Sequence, residues 1–176
     1  MKKKILKSKG ILFWITGLPG SGKSTIAKKI KSKIIKKYGP TIVMNGDDLR
    51  KIFKLFKYSK KERLKNGFNF GNFCKFLTDQ KLNVIFATVG MYDKIRNNNK
   101  NKIKNYIEIN IKSDLKKIIK AGKKNLYKKK NIKNLIGKDI KPEFPKKPHI
   151  VITNNFKKDL NELSNLLLNK IDKIIV

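Results

Sequence analysis

Short apolar runs alternate with longer amphipathic stretches along this chain. Five runs rich in β-branched and aromatic residues (11–16, 41–44, 83–88, 106–111 and 149–153) have strand length and predict strands. Residues 24–38 space their apolar positions as a helix does and close on Gly39-Pro40. Residues 60–80 predict a second long helix, which Gly67 and Gly71 weaken. Residues 113–120 and 157–174 predict two more, each with a polar residue at or just before its start that can cap it. The alternation predicts an α/β fold with a mostly parallel central sheet of about five strands flanked by helices. From Gly122 to Pro148 the pattern changes to a Lys-rich, strand-poor stretch holding Pro142, Pro145 and Pro148. That stretch, 122–148, is expected to be irregular and mobile, and is where a lid would lie. With no internal repeat and no linker composition, the expectation is one domain over 1–176.

Charge changes the picture in one respect. The chain has 45 Lys+Arg against 12 Asp+Glu, a net charge of +33, yet only Arg50, Arg63 and Arg96 are arginines. A nucleic-acid reader would use Arg for bidentate contacts to phosphates and guanines. The lysines are instead spread evenly among Asn and Ile, which suggests a coding bias; a selected polyanion-binding surface is the alternative. Either way the field favours anionic substrates and makes binding sensitive to salt. No specific nucleic-acid partner is expected, and the scarcity of interleaved aromatics argues the same way.

Cys74 is the single cysteine, so no intrachain disulfide can form and a reducing compartment fits. The basic start runs into an apolar segment too short for a signal peptide, and no stretch has the length to cross a bilayer. The expected location is cytoplasmic, without membrane association. Cys74 lies on the apolar side of its predicted helix and reads as packing rather than a nucleophile; His149, beside Pro148, reads as structural.

The chemistry concentrates after the first strand. Gly17-Leu18-Pro19-Gly20-Ser21-Gly22-Lys23-Ser24 satisfies the phosphate-loop pattern completely, and Thr25 follows. It sits where the mechanism needs it, between a buried strand and an amphipathic helix. Gly17, Gly20 and Gly22 let the backbone wrap with its N–H groups inward, and the helix adds its positive end. Ser21 lies within that wrap, Lys23 can reach the β- and γ-phosphates, and the Ser24 hydroxyl can ligate Mg²⁺. ATP and Mg²⁺ are therefore the expected cofactors.

After the second strand come Asn45-Gly46-Asp47-Asp48-Leu49-Arg50. A carboxylate there, at a strand's C-terminal end, can accept a hydroxyl proton or order magnesium water, while Arg50 holds an anionic substrate. The same residues also read as a helix start, with Asp47 as its cap and Asp48 in its first turn. Both roles are compatible. Glu62, Arg63 and Asn66 follow at spacings that share a helix face, which otherwise reads as a solvated surface cluster.

Together these segments resemble the adenylylsulfate kinase family, P-loop kinases that phosphorylate the ribose 3′-hydroxyl of adenosine 5′-phosphosulfate. Phe13-Trp14-Ile15-Thr16-Gly17-Leu18 leads into the phosphate loop as in that family, and Asn45-Gly46-Asp47…Arg50 is similar to its Asp-Gly-Asp…Arg segment. Arg63 and Asn66 resemble its Arg…Asn pair, and 125–129 its Gly-Leu-Tyr-Lys-Lys run. Residues 132–139, then Glu143, Pro145 and Pro148, resemble its late loop. The resemblance implies Asp47 as catalytic base and Arg50, Arg63, Asn66 and Lys133 as substrate contacts. It also implies Tyr58 as one face of an aromatic clamp and a homodimer as the possible assembly.

The departures gather on the acceptor side. Asn45 replaces the family's first Asp, Phe68-Asn69 replace two arginines, Gly90 stands for a Ser and Met91 for a Pro. Leu135 replaces the Phe that stacks on the substrate's adenine, and Ala121 replaces a lid Arg. Losing one face of the clamp weakens stacking by about 1–3 kcal/mol. The reading that follows is a small-molecule nucleotide kinase, with adenosine 5′-phosphosulfate as the family's ordinary acceptor. Cytidine diphosphoramidate, a related nucleotide with a smaller base, is the alternative. A nucleotide-regulated nucleic-acid binder and a non-catalytic nucleotide sensor are the rival classes.

Overall fold

The computed structural model describes residues 8–122, 127 and 134–175. Its centre is a five-stranded, all-parallel sheet in the order β2-β3-β1-β4-β5. The strands are β1 (Leu12–Thr16), β2 (Thr41–Asn45), β3 (Asn83–Ala87), β4 (Tyr106–Lys112) and β5 (Ile150–Thr153). Every predicted strand is present, with ends moved by a residue or so. β1 sits in the middle of the sheet, and all five of its residues are buried.

Burial on both faces explains the apolar runs. Alternate residues Phe13, Ile15, Ile85, Ala87, Ile107 and Ile109 pack into one core against α1 (Lys23–Tyr38) and α6 (Leu160–Ile174). The intervening Leu12, Trp14, Val84, Phe86 and Tyr106 pack into a second core with residues of α3 (Lys60–Asp79) and α4 (Asp93–Lys102). Each such fully buried side chain stabilises the fold by about 1.5–3 kcal/mol before entropy is counted. Two shorter helices, α2 (Gly46–Ile52) and α5 (Leu115–Lys120), follow β2 and β4.

The helix α4 was not predicted. Its sequence is almost wholly Asn and Lys, with Ile95 and Arg96 its large buried residues, so it carries no helical stripe of the usual width. It forms because α3 accepts it closely, and the two glycines that weakened the α3 prediction are the means. A Cβ at Gly67 would lie 2.1 Å from Ile95 Cδ1, and one at Gly71 would lie 2.2 Å from Asn99 Oδ1. Glycine's cost to helix propensity is thus offset by helix–helix approach.

A second correction concerns α2. Its cap is Asn45, whose Oδ1 accepts from Asp48 N at 2.9 Å, and Asp47 lies in the first turn instead. An Asn in place of Asp keeps this capping bond, because the amide oxygen is an equally good acceptor. The loops that leave the C-terminal ends of the strands all open on one edge of the sheet, the edge where α/β folds bind ligands. Among the described residues, no helix is long and apolar enough to cross a membrane.

Candidate functional site

The turn between β1 and α1 has the form of a phosphate cradle. A Cβ at Gly17 would fall 2.6 Å from Ile111 O and 2.8 Å from Ser21 Oγ, so only glycine lets this strand end lie against β4. Gly22 caps α1 with φ 93°, a left-handed conformation that glycine adopts without strain. α1 has no side-chain cap bond and no acid in its first turn. By contrast α2, α3, α4 and α6 all carry one there. The positive end of α1 is therefore left for an external anion. Lys23 is buried, and its ammonium donates to Leu18 O at 2.7 Å and lies 3.5 Å from Ser21 Oγ. Ser24 and Thr25 are exposed at the start of the helix.

Two clefts meet at this loop. The first is lined by Gly20, Gly22, Lys23, Ser24 and Thr25 on one side, and by Asn154, Phe156, Lys158 and Leu160 on the other. The loop after β5 braces the cradle: Asn154 Nδ2 donates to Ser21 O at 3.0 Å while its Oδ1 accepts from Phe156 N at 2.9 Å. Phe156 is held at φ 64° by this turn and is half-buried beside the cleft. This base-sized space next to a triphosphate cradle was missed from sequence. The available signal was Asn154-Asn155-Phe156, a turn-forming pair and an aromatic directly after a strand's C-terminal end.

The second cleft brings together Lys23, Ser24, Asn45, Asp47, Arg50, Arg63, Gly90 and Tyr92 over a floor that includes Trp14 and Phe70. Of the sequence-expected residues, Asp47, Arg50 and Arg63 thus share a cleft with Lys23 and Ser24. Asp47 is exposed there, and Gly46 lets α2 approach β3, since its Cβ would sit 3.2 Å from Thr88 Oγ1. Tyr58 lies between the two arginines, with the guanidinium carbons of Arg50 and Arg63 at 4.8 and 5.1 Å from its ring centre. Burial, and then the neighbouring Arg50 charge, pull Arg63 below the usual arginine range; Tyr92, Tyr58 and Asp47 oppose the shift. Two cations gathered around one ring call for an anionic ligand.

Asn66 is buried on α3 and does not line this cleft. Leu135 does not line it either. It is 5% exposed, its N–H donates to Asp139 Oδ2 at 2.9 Å, and the neighbouring Ile136 takes the place on the wall. Lys133 lies outside the described residues, as does most of 123–133. The segment that follows rests on the site through a few bonds. Arg63 Nη2 donates to Asn134 O at 2.8 Å, and the Tyr127 hydroxyl stands 3.4 Å from Pro19 O and 3.3 Å from Ile136 O. Burial pushes that phenol up to about 12, so it stays protonated and can donate.

The third arginine secures the loop after β3. Arg96 is 3% exposed and donates to Gly90 O at 3.0 Å and to Glu143 O at 2.6 Å. It also pairs with Asp93 and, at 3.0 Å, with Glu108. Burial raises the Glu108 carboxyl above its ordinary range, and Arg96 opposes this. Gly90 and Tyr92 are thereby fixed to the proline-rich segment. Two polar atoms of the cleft residues are buried without a partner among the described residues, Trp14 Nε1 and Tyr92 Oη. Each costs about 1–3 kcal/mol if nothing meets it.

The description "Adenylylsulphate kinase" belongs to the family model that matches residues 9–153. The chain is 36% identical over 169 residues to a cytidine diphosphoramidate kinase of Campylobacter jejuni, covering 94% of this chain and 99% of that protein. It is 30% identical over 173 residues to an adenylyl-sulfate kinase of Gloeothece citriformis, covering 96% of this chain and 98% of that one. In fold it is similar to the Mycobacterium tuberculosis APS kinase CysC in complex with AMPPNP and APS. There the TM-score is 0.83 at 23% identity, with 93% of this chain and 98% of that one covered.

Proposed function

The chain belongs to the adenylylsulphate kinase family and is a nucleotide kinase; from that premise we propose that it transfers the γ-phosphoryl group of ATP to the ribose 3′-hydroxyl of a nucleotide. Of the two acceptors, cytidine diphosphoramidate comes first and adenosine 5′-phosphosulfate second. One observation carries the proposal: Asp47 and Arg50, from a single helical turn, share a cleft with Lys23 and Ser24 of the phosphate loop. Two observations support the order. The cytidine diphosphoramidate kinase is the more similar relative of the two described. The wall contributed by the proline-rich segment is the aliphatic Ile136, which costs a pyrimidine less stacking than a purine. The second acceptor keeps support from Arg50, Arg63 and Asn66, which resemble the family's own substrate set.

The loop amides and Lys23 hold the transferring phosphoryl group while its bond to the bridging oxygen breaks and a bond to the ribose oxygen forms. Asp47 takes the hydroxyl proton. Arg50 and Arg63 hold the acceptor's anionic tail, and the work is mostly positioning and charge neutralisation. A magnesium ion would rest on Ser24, whose exposed hydroxyl opens on both clefts, and would neutralise charge on the β- and γ-oxygens. The lid expected at 122–148 lies partly outside the described residues; its role in the proposal is to exclude water, so that ATP is not hydrolysed.

The test is a coupled assay with ATP, magnesium and each acceptor separately, with the product identified by phosphorus NMR. Turnover with the cytidine compound alone sustains the order given, and turnover with adenylylsulfate alone reverses it. Asp47→Asn is expected to lower kcat by about 10²–10⁴-fold. Near-normal turnover in that variant would remove Asp47 from the mechanism.

A further inference from the structure

We infer that residues 51–61, the link from α2 into α3, form a basic and apolar patch that docks this protein on the surface of an anionic lipid bilayer. The inference goes beyond the kinase reading and does not depend on it. The link reads Lys-Ile-Phe-Lys-Leu-Phe-Lys-Tyr-Ser-Lys-Lys, with a lysine at every third position and no acid. In α4 the lysines alternate with asparagine, whereas here the residues between them are mostly apolar. All five lysines are exposed, and so are Ile52 (67%), Phe53 (53%), Phe56 (67%) and Tyr58 (42%). Those four are among only nine large hydrophobic residues that stand exposed among the described residues, so apolar exposure is concentrated in this link rather than scattered. The link is also held in place. Phe53 N donates to Leu49 O at 3.0 Å, Leu55 N donates to Arg50 O at 2.8 Å, and Lys54 turns the chain at φ 51°. Arg63 Nε donates to Tyr58 O at 2.9 Å, and Phe53 meets Phe73 of α3 edge-on with ring centres 6.5 Å apart. A fixed backbone thus presents the exposed side chains, which lowers the entropy cost of docking.

Charge decides what covers the patch. Ile52, Phe53 and Phe56 line neither cleft, so a nucleotide in either one does not cover them. The parts of this chain outside the described residues, 1–7, 123–126, 128–133 and 176, hold lysines and no acid. A second copy would set the same five lysines against these, and a net charge of +33 against +33. A nucleic acid would answer the charge but leave the aliphatic Ile52 unmatched, and the Tyr58 ring is already flanked by the guanidinium groups of Arg50 and Arg63. A bilayer with acidic headgroups meets both needs in layers: phosphates for the ammonium groups, and acyl chains beneath them for Ile52 and Phe56. Lysine, a compact charge on a flexible stem, suits such a diffuse layer, where a bidentate fork is not required. This contact lies on the bilayer and needs no spanning helix, so hydropathy along the chain carries no sign of it.

The test is co-sedimentation of the whole protein with vesicles of phosphatidylcholine alone, or of phosphatidylcholine and phosphatidylglycerol in equal parts, at about 0.15 M salt. Binding is expected only to the second. Ile52→Ser/Phe56→Ser leaves the charge unchanged and should weaken binding about tenfold or more. Both side chains are mostly exposed, so the variant is expected to keep its fold, which melting checks. Lys54→Gln/Lys57→Gln should also weaken binding about tenfold. The same charge removed from α1, against the other face of the sheet, as Lys31→Gln/Lys36→Gln, should change it less than about twofold. Emission from Phe56→Trp should shift to the blue and be quenched by brominated acyl chains, while that of the buried Trp14 in the parent protein stays unchanged. Equal losses for the two lysine pairs, or full binding by Ile52→Ser/Phe56→Ser, would mean diffuse adhesion of a basic protein and overturn the inference. An unquenched Phe56→Trp signal would do the same. A dimer in light scattering that Ile52→Ser/Phe56→Ser dissociates would assign the patch to a second copy. A single-stranded RNA bound through these residues, with vesicles left unbound, would assign it to nucleic acid. Either result overturns the bilayer reading.

Discussion

The two clefts that meet at Lys23 are built from different materials. On the proposed donor side the groups offered to a ligand are largely main chain: the loop amides and the open end of α1, braced from Asn154 to Ser21 O. On the proposed acceptor side the lining is long side chains from separate parts of the chain: Asp47 and Arg50 on α2, Arg63 on α3, Tyr92 before α4 and Ile136 in the late segment. Backbone geometry depends on a few glycines in a row, so it survives sequence drift while those glycines remain. A dispersed set of side chains can change one member at a time. Two of the departures from the family pattern, Asn45 and Gly90, line the second cleft, and none falls in the phosphate loop.

Lys23→Met should break both halves at once, because Lys23 lines both clefts. The expected loss in kcat is about 10²–10³-fold or more. The accompanying loss of ATP-induced thermal stabilisation is measurable by melting the protein with and without nucleotide. Arg63→Lys comes next and should separate the halves. It keeps the charge but loses the fork that reaches both Tyr58 O, at 2.9 Å, and Asn134 O. Acceptor KM should rise about 10–100-fold while ATP KM moves less than about twofold. If both constants rise together in steady-state kinetics, the clefts are not independent.

The difference in materials also set what could be seen in the sequence. The sheet was legible because strands buried on both faces read as continuous apolar runs, and the phosphate loop because its eight residues are contiguous. The helix α4 was not, since its place depends on glycines some thirty residues earlier in the chain that let it approach α3. Asp47, Arg50 and Arg63 were found, yet Asn45 rather than Asp47 proved to be the cap, a choice between polar residues two positions apart that pattern cannot make. Ile136 in place of Leu135 on the wall is a one-residue shift in an irregular segment, where no periodicity says which side chain faces inward. The buried polar atoms of Trp14 and Tyr92, unpartnered among the described residues, emerged only from tertiary packing.

Phe156→Ala sharpens the comparison from the donor side. If this ring is the stacking platform for the ATP base, its loss should raise ATP KM about tenfold, within the 1–3 kcal/mol that base–aromatic stacking supplies. Acceptor KM should stay within about twofold. An isothermal titration with the ATP analogue measures the binding part alone.

The smallest expected effect is at Cys74, and it tests whether the acceptor side is the more mobile of the two. Its thiol is fully buried on α3, the helix that carries Arg63 and Asn66. Burial pushes the thiol well above its ordinary range. The folded state therefore holds this proton more tightly than the unfolded chain. The stability it contributes is full below the unfolded value and is lost as pH rises above it. Cys74→Ala should leave both KM values within about twofold and lower the melting temperature by only a few degrees. In the native protein at pH 8, a thiol reagent should label Cys74 only when α3 opens. If the acceptor is held in part by Arg63 on that helix, as proposed, saturating acceptor should slow labelling toward the factor set by its occupancy, about 100-fold at 100 times Kd. ATP analogue alone, held by the backbone of a different helix, should slow it much less. Equal protection by both ligands would mean that α3 opens only with the whole fold, and that the acceptor cleft is as rigid as the phosphate loop.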